Sequence, residues 1–234
     1  MNVLLGLTGS VASVLHKKIV DKLSEKNNVK VILTKSSKNF LNSKWLCYKS
    51  ISYYDDDFEW RNYYKTGNVA HIDLRQWADL LLIAPCSANT MAKLANGICD
   101  NLLTSTFRAW DFKKPVYIAP AMNAYMFNHP ITESHIATLK KWNCNIIPPI
   151  KKELFCGEYG VGGMEIVDKI VDKINSCGNQ DFYPPPPPPP LQRVIRNEGS
   201  SGRFCEKCRS SMIRKYIFFG KEYCVNHKCS NHIN

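Results

Sequence analysis

Short apolar runs alternate with amphipathic stretches along the first three quarters of the chain. Four runs have the length of buried strands: 3–7, 29–33, 80–84 and 115–119. Four stretches have the apolar spacing of helices: 11–23, 90–109 with a break near Gly97, 131–142 and 165–175. In the first of these the stripe is Val11, Leu15, Ile19 and Leu23, and in the last it is Ile166, Ile170 and Ile174. Alternating strands and helices predict an α/β fold, a parallel sheet with helices on both faces.

Seven consecutive prolines, Pro184 to Pro190, mark the clearest boundary in the chain. Such a run cannot form a helix or pair in a sheet, and it adopts a stiff polyproline rod of about 3.1 Å per residue. We therefore divide the chain into a domain over 1–180, a proline-rich linker over 181–203 and a small module over 204–234.

The composition narrows the class of protein. Of the 234 residues, 44% are hydrophobic and 22% charged, which excludes disorder throughout. The apolar run at 80–85 is far shorter than the ~20 residues of a membrane span, and Met1 to Leu7 has the pattern of a strand and not of a signal peptide. Ten cysteines without an export signal predict a reducing, cytoplasmic location.

Polar or glycine-rich loops follow the predicted strands, at the sheet edge where parallel α/β proteins bind ligands. The first, at 8–10, holds Gly9 and Ser10, and a helix start there suits a phosphate; a plain turn with a capping serine would look the same. Similar loops lie at 34–37, 84–90 and 120–126. A glycine-rich stretch at 155–164 has the composition of a mobile flap.

Two of these loops carry specific motifs: Pro-Ala-Met-Asn-x-x-Met at 120–126 and Cys-Gly-x-Tyr-Gly-x-Gly-x-Met at 156–164. Together they resemble the homo-oligomeric flavin-containing cysteine decarboxylases, and the resemblance covers about residues 1–175. Phe127 departs from the Trp that is usual there, so altered packing is expected. The resemblance implies a flavodoxin-like (Rossmann-like) three-layer sandwich that binds FMN and assembles as a homotrimer, or a multiple of trimers, with sites between subunits. By position, the FMN-binding residues would be Gly9, Ser10, Val11, Thr34, Lys35, Ser36, Ser87, Ala88, Asn89, Thr90 and Ala121.

The same resemblance assigns roles in decarboxylation of a cysteine-bearing small molecule. His71 matches the family's base, and an imidazole titrates near working pH. Asn123 matches the residue that binds the substrate carboxylate, and Cys156 matches the proton donor. Phe155 and Met164 would contact and cover the substrate. Taken singly, each of these residues is more often structural; the joint pattern carries the assignment.

The function implied is the FMN-dependent conversion of 4'-phosphopantothenoylcysteine to 4'-phosphopantetheine, a carboxy-lyase reaction of coenzyme A biosynthesis. Oxidation at the cysteine end would make loss of carbon dioxide easy, after which the electrons return. Two alternatives stay open: oxidative decarboxylation of a peptide's C-terminal cysteine, against which Cys156 argues, and a halotolerance-type flavoprotein that regulates a phosphatase without catalysis. The Pro-Ala-Met-Asn motif argues against a flavin prenyltransferase.

The tail is the basic part of the chain, since residues 191–234 carry nine Lys or Arg and three Glu within an overall net charge of +11. Its cysteine spacing predicts a zinc ribbon whose hairpin has Gly220 near the turn. The predicted ligands are Cys205, Cys208, Cys224 and Cys229, with His227 as the alternative for the fourth. A disordered basic tail is the competing interpretation, and its charge suits nucleic acid or an acidic protein surface.

Overall fold

The computed structural model describes residues 1–41, 51–155, 157–177, 215–218 and 221–224 of the chain, with backbone alone for the last two segments. The chain divides into two units, Met1–Tyr183 and Pro184–Asn234. Cys156 and the predicted zinc ligands Cys205, Cys208 and Cys229 lie outside the described residues, as does the side chain of Cys224.

The first unit holds a six-stranded parallel sheet in the order β3-β2-β1-β4-β5-β6. Its strands are β1 (Asn2–Leu7), β2 (Asn28–Leu33), β3 (Ser52–Tyr54), β4 (Leu80–Cys86), β5 (Val116–Pro120) and β6 (Cys144–Ile146). This is the strand order of dinucleotide-binding sheets, and its switch point lies between β1 and β4. The predicted α/β sandwich is confirmed; β3 and β6 are too short to have been predicted from periodicity.

Eight helices accompany these strands in the described part of the first unit: α1 (His16–Ser24), α2 (Asp56–Thr66), α3 (Ala70–Trp77), α4 (Ala88–Ala95), α5 (Leu102–Arg108), α6 (Ala124–Phe127), α7 (Pro130–Lys141) and α8 (Val167–Cys177). Turns of 3₁₀ helix span Val11–Leu15 and Ser37–Phe40. Local sequence sets several boundaries. Asp55 caps α2, which ends at Gly67 in the left-handed region, and Asn101 with Thr104 forms a capping box at α5.

Two apolar clusters lie on opposite faces of the sheet. On β1, Val3 and Leu5 pack with α1 and α8, whereas Leu4 packs with α3, α4, α5 and α7. Every residue of β4 is buried, as expected for a parallel strand covered on both faces.

Two predicted stripes need correction. Ile170 and Ile174 are fully buried, but Ile166 precedes α8 and is 48% exposed, so Val167 and Val171 complete the buried face. Of the four stripe residues in the first helical stretch, only Ile19 and Leu23 belong to the core. Val11 and Leu15 are each 36% exposed because the helix begins as a 3₁₀ turn that faces a cavity.

The predicted mobile flap is an antiparallel hairpin, β7 (Ile150–Glu153) with β8 (Tyr159–Gly163). Its alternation was hidden by the glycines of β8. In the second unit, β9 (Lys215–Phe218) pairs antiparallel with β10 (Lys221–Cys224), which agrees with the predicted hairpin. Among the described residues no helix is both long and apolar enough to cross a membrane, and no group of metal-binding side chains occurs there.

Candidate active site

A cavity of about 980 Å³ lies at the carboxyl edge of the sheet, at the switch point between β1 and β4. This volume is typical of a cofactor site. All eleven predicted FMN-binding residues line it, and so do Asn123, Phe155 and Met164. These predicted residues come from five segments that are far apart in sequence.

The loops after β1 and β4 are tied together by a residue that the sequence analysis overlooked. The buried hydroxyl of Thr8 donates to the carbonyl oxygen of Pro85 at 2.7 Å and accepts from the amide of Ser87 at 2.8 Å. A lone threonine before Gly9 gave no signal of this role, since its partners are 77 and 79 residues away.

The loops after β1 and β2 touch directly. A Cβ added at Gly9 would lie 2.5 Å from the Cβ of Ser36, so only glycine fits. Two hydrogen bonds hold the loop after β2 in place. The hydroxyl of Ser37 donates to the carbonyl oxygen of Thr34 at 2.7 Å, and the hydroxyl of Thr34 donates to the carbonyl oxygen of Leu7 at 3.3 Å. The turn at Gly9 and Ser10 is therefore where the loop after β1 contacts the loop after β2.

Helix starts bring hydroxyl and amide groups to the cavity. Ser10 caps the 3₁₀ turn by accepting from the amide of Ala12 at 3.4 Å. Ser87 caps α4 by accepting from the amide of Thr90 at 3.2 Å. The capping interpretation of Ser10 is therefore correct, and Ser87 caps α4 in the same way. Both serines also lie on the cavity wall.

Asn123 links the loop after β5 to the hairpin. Its Oδ1 caps α6 by accepting from the amide of Tyr125 at 2.7 Å, and its Nδ2 donates to the Glu158 carboxylate at 2.7 Å. The amide of Met122 also donates to the carbonyl oxygen of Gly162 at 2.9 Å. A Cβ at Gly162 would lie 2.4 Å from the carbonyl oxygen of Met122, so this glycine permits the close approach.

The two residues expected to cover a substrate differ in position. Phe155 lies in the turn of the hairpin and is 89% exposed. Met164 is only 2% exposed and packs in the core cluster that includes α8, although it also lines the cavity. The side chain of Met164 therefore forms part of the cavity wall.

His71 is the one described site residue that does not line the cavity of its own chain. It lies in the first turn of α3, where its Nδ1 pairs with Oε1 of Glu59 from α2. Within one chain, the structure therefore does not bring His71 together with Asn123 and Phe155. Sequence reasoning also missed Glu59, since nothing in its surroundings marks it as a partner.

Charges of both signs surround the cavity. The cations are Lys35, Lys93 and Lys152, and the acids are Asp56, Asp100 and Glu153. Lys93 donates to Asp100 at 2.5 Å, and this hydrogen bond lowers the pKa of that carboxyl. Asp56 accepts from the amide of Leu102 at 2.7 Å. Asp100 and Asp56 therefore each have a hydrogen-bond partner. Lys35, in the loop after β2, places a positive charge on the cavity wall that can attract an anion.

The family model described as Flavoprotein matches residues 1–177. The chain belongs to the Flavoprotein family. The match spans the six-stranded sheet, the hairpin and every residue of the cavity wall.

Named relatives of this flavoprotein point to one branch. A phosphopantothenoylcysteine decarboxylase of Arabidopsis thaliana is 48% identical over 163 residues, which is 69% of this chain and 78% of that protein. A solved cysteine-to-serine mutant of PPC decarboxylase, complexed with pantothenoylaminoethenethiol, superposes with a TM-score of 0.73 at 44% identity, covering 76% of this chain and 98% of that one. The FMN-binding protein AtHal3 gives 0.71 at 44% identity, covering 76% and 96%.

The cavity of this flavoprotein fits FMN by the chemistry of its donors. Helix starts at Ser10 and Ser87 present amides and hydroxyls of the kind that bind phosphate or ring heteroatoms. Val11 and Ala121 provide apolar wall for a flat ring, and the small Ala88 leaves it room. These residues would hold the flavin.

Proposed function

We propose that this flavoprotein is an FMN-dependent carboxy-lyase that converts 4'-phosphopantothenoylcysteine to 4'-phosphopantetheine. One observation carries the proposal: a single cavity is lined both by all the residues expected to hold FMN and by Asn123, the residue expected to bind the substrate carboxylate. The named relatives and the solved complex with pantothenoylaminoethenethiol support the choice of substrate.

Asn123 is suited to bind a carboxylate that must leave. Its Nδ2 already donates to a carboxylate oxygen, that of Glu158, at 2.7 Å. A neutral amide binds the anion by hydrogen bonding without the added attraction of a full positive charge. The Oδ1 atom is fixed by the cap of α6, so Nδ2 has a defined direction. When bound, FMN supplies a reversible two-electron acceptor for the cysteine end of the substrate.

We place His71 and Cys156 in the proton transfers of this reaction, His71 as base and Cys156 as donor. Because His71 does not line the cavity of its own chain, the proposal requires a second copy that supplies it, as in the expected homotrimer. Apolar side chains around the cavity support such an interface, since Val14 is 55% and Met126 50% exposed. The role of Cys156 rests on its motif, because it lies outside the described residues.

The assembly is tested by complementation between impaired variants. Alone, His71→Gln and Asn123→Asp should each have strongly reduced turnover, but mixed trimers formed by refolding or co-expression should regain part of the activity, because some sites then have both intact residues. Mixtures that are no more active than the single variants, while mass measurement shows mixed assemblies, would contradict a site between subunits.

The carboxylate role is tested with Asn123→Asp in FMN-loaded protein. Aspartate keeps the oxygen that caps α6 but replaces the donor with a negative charge. Losing a hydrogen bond to a charged group costs about 1.5–3 kcal/mol, so turnover should fall about 10- to 150-fold. Asn145→Asp, on an exposed position of β6, is the matched control. Equal rates of carbon dioxide release from both variants would show that Asn123 does not bind the substrate carboxylate.

For the tail, we propose zinc binding on the cysteine and histidine spacing alone. Metal analysis of the full-length protein should give one zinc per chain, and the Cys205→Ser/Cys208→Ser double variant should lose it. Zinc-free wild-type protein purified without chelator would contradict the assignment.

A further inference from the structure

Glu59 and His71 form a hydrogen-bonded pair of mostly buried side chains that does not line the cavity. Glu59 lies in the first turn of α2 and His71 in the first turn of α3, twelve residues later. Oε1 of the glutamate and Nδ1 of the imidazole are in direct hydrogen-bonding contact. The side chain of Glu59 is 14% exposed and that of His71 is 28% exposed, so the pair is shielded while part of the ring still faces solvent.

The connection between the two helices holds them in this arrangement. Gly67 ends α2 at φ +73°, where glycine is favoured. The side-chain amide of Asn62 then donates to the carbonyl oxygen of Asn68 at 3.2 Å, and the amide of Asn68 donates to the hydroxyl of Thr66 at 3.1 Å. The contact is therefore built into the turn and does not depend on two long surface side chains meeting by chance.

A carboxylate accepts hydrogen bonds and donates none, so the neutral ring must carry its proton on Nδ1 to satisfy this contact. That leaves the lone pair on Nε2, the atom a base uses. We propose that Glu59 is the positioning residue of His71: it fixes the tautomer and the ring plane so that Nε2 faces the reacting group of a neighbouring subunit. The inference rests on the proposed function, because it takes His71 to be the base.

Glu59 is not needed to begin its helix. The side chain of Asp55 caps α2 by accepting from the amide of Phe58 at 2.7 Å, and Asp56 and Asp57 already place negative charge in the first turn. A merely structural role would therefore be to tie α2 to α3, and losing it would lower stability without a selective loss of kcat. Positioning and structural roles thus predict different measurements.

The experiment uses Glu59→Gln in the FMN-loaded full-length protein. Glutamine has the same length but can donate as well as accept, so the tautomer is no longer fixed. We expect kcat to fall about 10- to 100-fold, part of the 10²–10⁴-fold that a positioned base supplies. KM should stay within about twofold, because Glu59 acts through His71 and not on the substrate itself. Asp57→Asn is the matched control, since the Asp57 side chain is 80% exposed in the same turn and its carboxylate lies 3.8 Å from Lys38.

A second readout gives its main result from wild-type protein. Nitrogen-15 spectra of wild-type protein at a pH where the ring is neutral should show the His71 proton on Nδ1, and Glu59→Gln should mix the two tautomers. A proton on Nε2 in wild-type protein would overturn the inference, as would an unchanged kcat in well-folded Glu59→Gln. If His71→Gln itself keeps full turnover, the proposed base is wrong; if only Glu59→Gln does, the proposed function stands and the positioning role falls.

Discussion

The contact between the loops after β1 and β2 makes a quantitative prediction for Gly9→Ala. The added Cβ would lie 2.5 Å from the Cβ of Ser36, whereas carbon atoms in contact prefer about 3.5–4.0 Å. About 1 Å of separation must therefore open. Ser36 cannot relieve the overlap by rotating its side chain, because a Cβ is fixed to the backbone.

The loops have to move apart to accept the methyl group. Overpacking of this kind costs about 1–3 kcal/mol. In the protein without cofactor, the loop after β2 can shift by breaking the hydrogen bonds of Thr34 and Ser37. Binding a flavin that touches both loops forces them together again, so up to the whole cost appears as lost affinity, about 5- to 150-fold in Kd.

Titration of the apoprotein with FMN, followed by quenching of flavin fluorescence, measures this loss. Gly67→Ala is the control. A Cβ at this position would contact nothing within 4 Å, but the backbone φ of +73° is unfavourable for alanine. The substitution should cost about 1 kcal/mol of stability and leave the Kd for FMN unchanged. A Gly9→Ala protein that binds FMN within twofold of wild type would refute the idea that the two loops hold the flavin jointly.

Three further predictions follow from other contacts. Glu158→Ala should lower KM for substrate about 2- to 10-fold, because the amide of Asn123 no longer has a protein carboxylate to release; a raised KM in steady-state assays would show that Glu158 assists binding. Hydrogen bonds from two lysines of α1 lower the pKa of Asp168 to about 2, so its small, salt-sensitive stabilisation is complete above pH about 4 and is lost as the pH falls toward 2. The difference in Tm between wild type and Asp168→Asn should shrink over that range, and a constant difference would contradict the ion pair. Iodoacetamide at neutral pH should modify the exposed Cys99 and spare Cys86, whose pKa is raised by burial; peptide mapping that finds Cys86 labelled in folded protein would contradict its burial.

Periodicity predicted the parts of the fold that are buried by the chain's own sheet. The apolar run at 80–84 became β4, and the spacing of Ile170 and Ile174 identified α8, because in both cases burial against neighbouring strands requires apolar residues at regular intervals. The same rule misjudged Val11 and Leu15, whose apolar side chains line the cavity instead of the core. Apolarity alone does not distinguish a core from a ligand-binding wall.

The candidate site divides in the same way. Motifs at strand ends located the cavity wall, because the parallel topology brings those ends to one edge. The Thr8–Pro85 and Glu59–His71 contacts could not be predicted, because each depends on how separate elements pack. Neither Thr8 nor Glu59 belongs to a motif that would have marked it. The glycines of β8 suggested flexibility, yet Gly162 is required for close packing on the loop after β5.

The central claim is that this flavoprotein removes carbon dioxide from 4'-phosphopantothenoylcysteine without net oxidation. Its most direct test is the mass of the product formed by the purified, FMN-loaded protein. We expect 4'-phosphopantetheine, lighter than the substrate by one carbon dioxide and with the hydrogen count of a redox-neutral reaction. Unchanged substrate, or a product two hydrogens lighter that accumulates as the enethiol, would contradict the account.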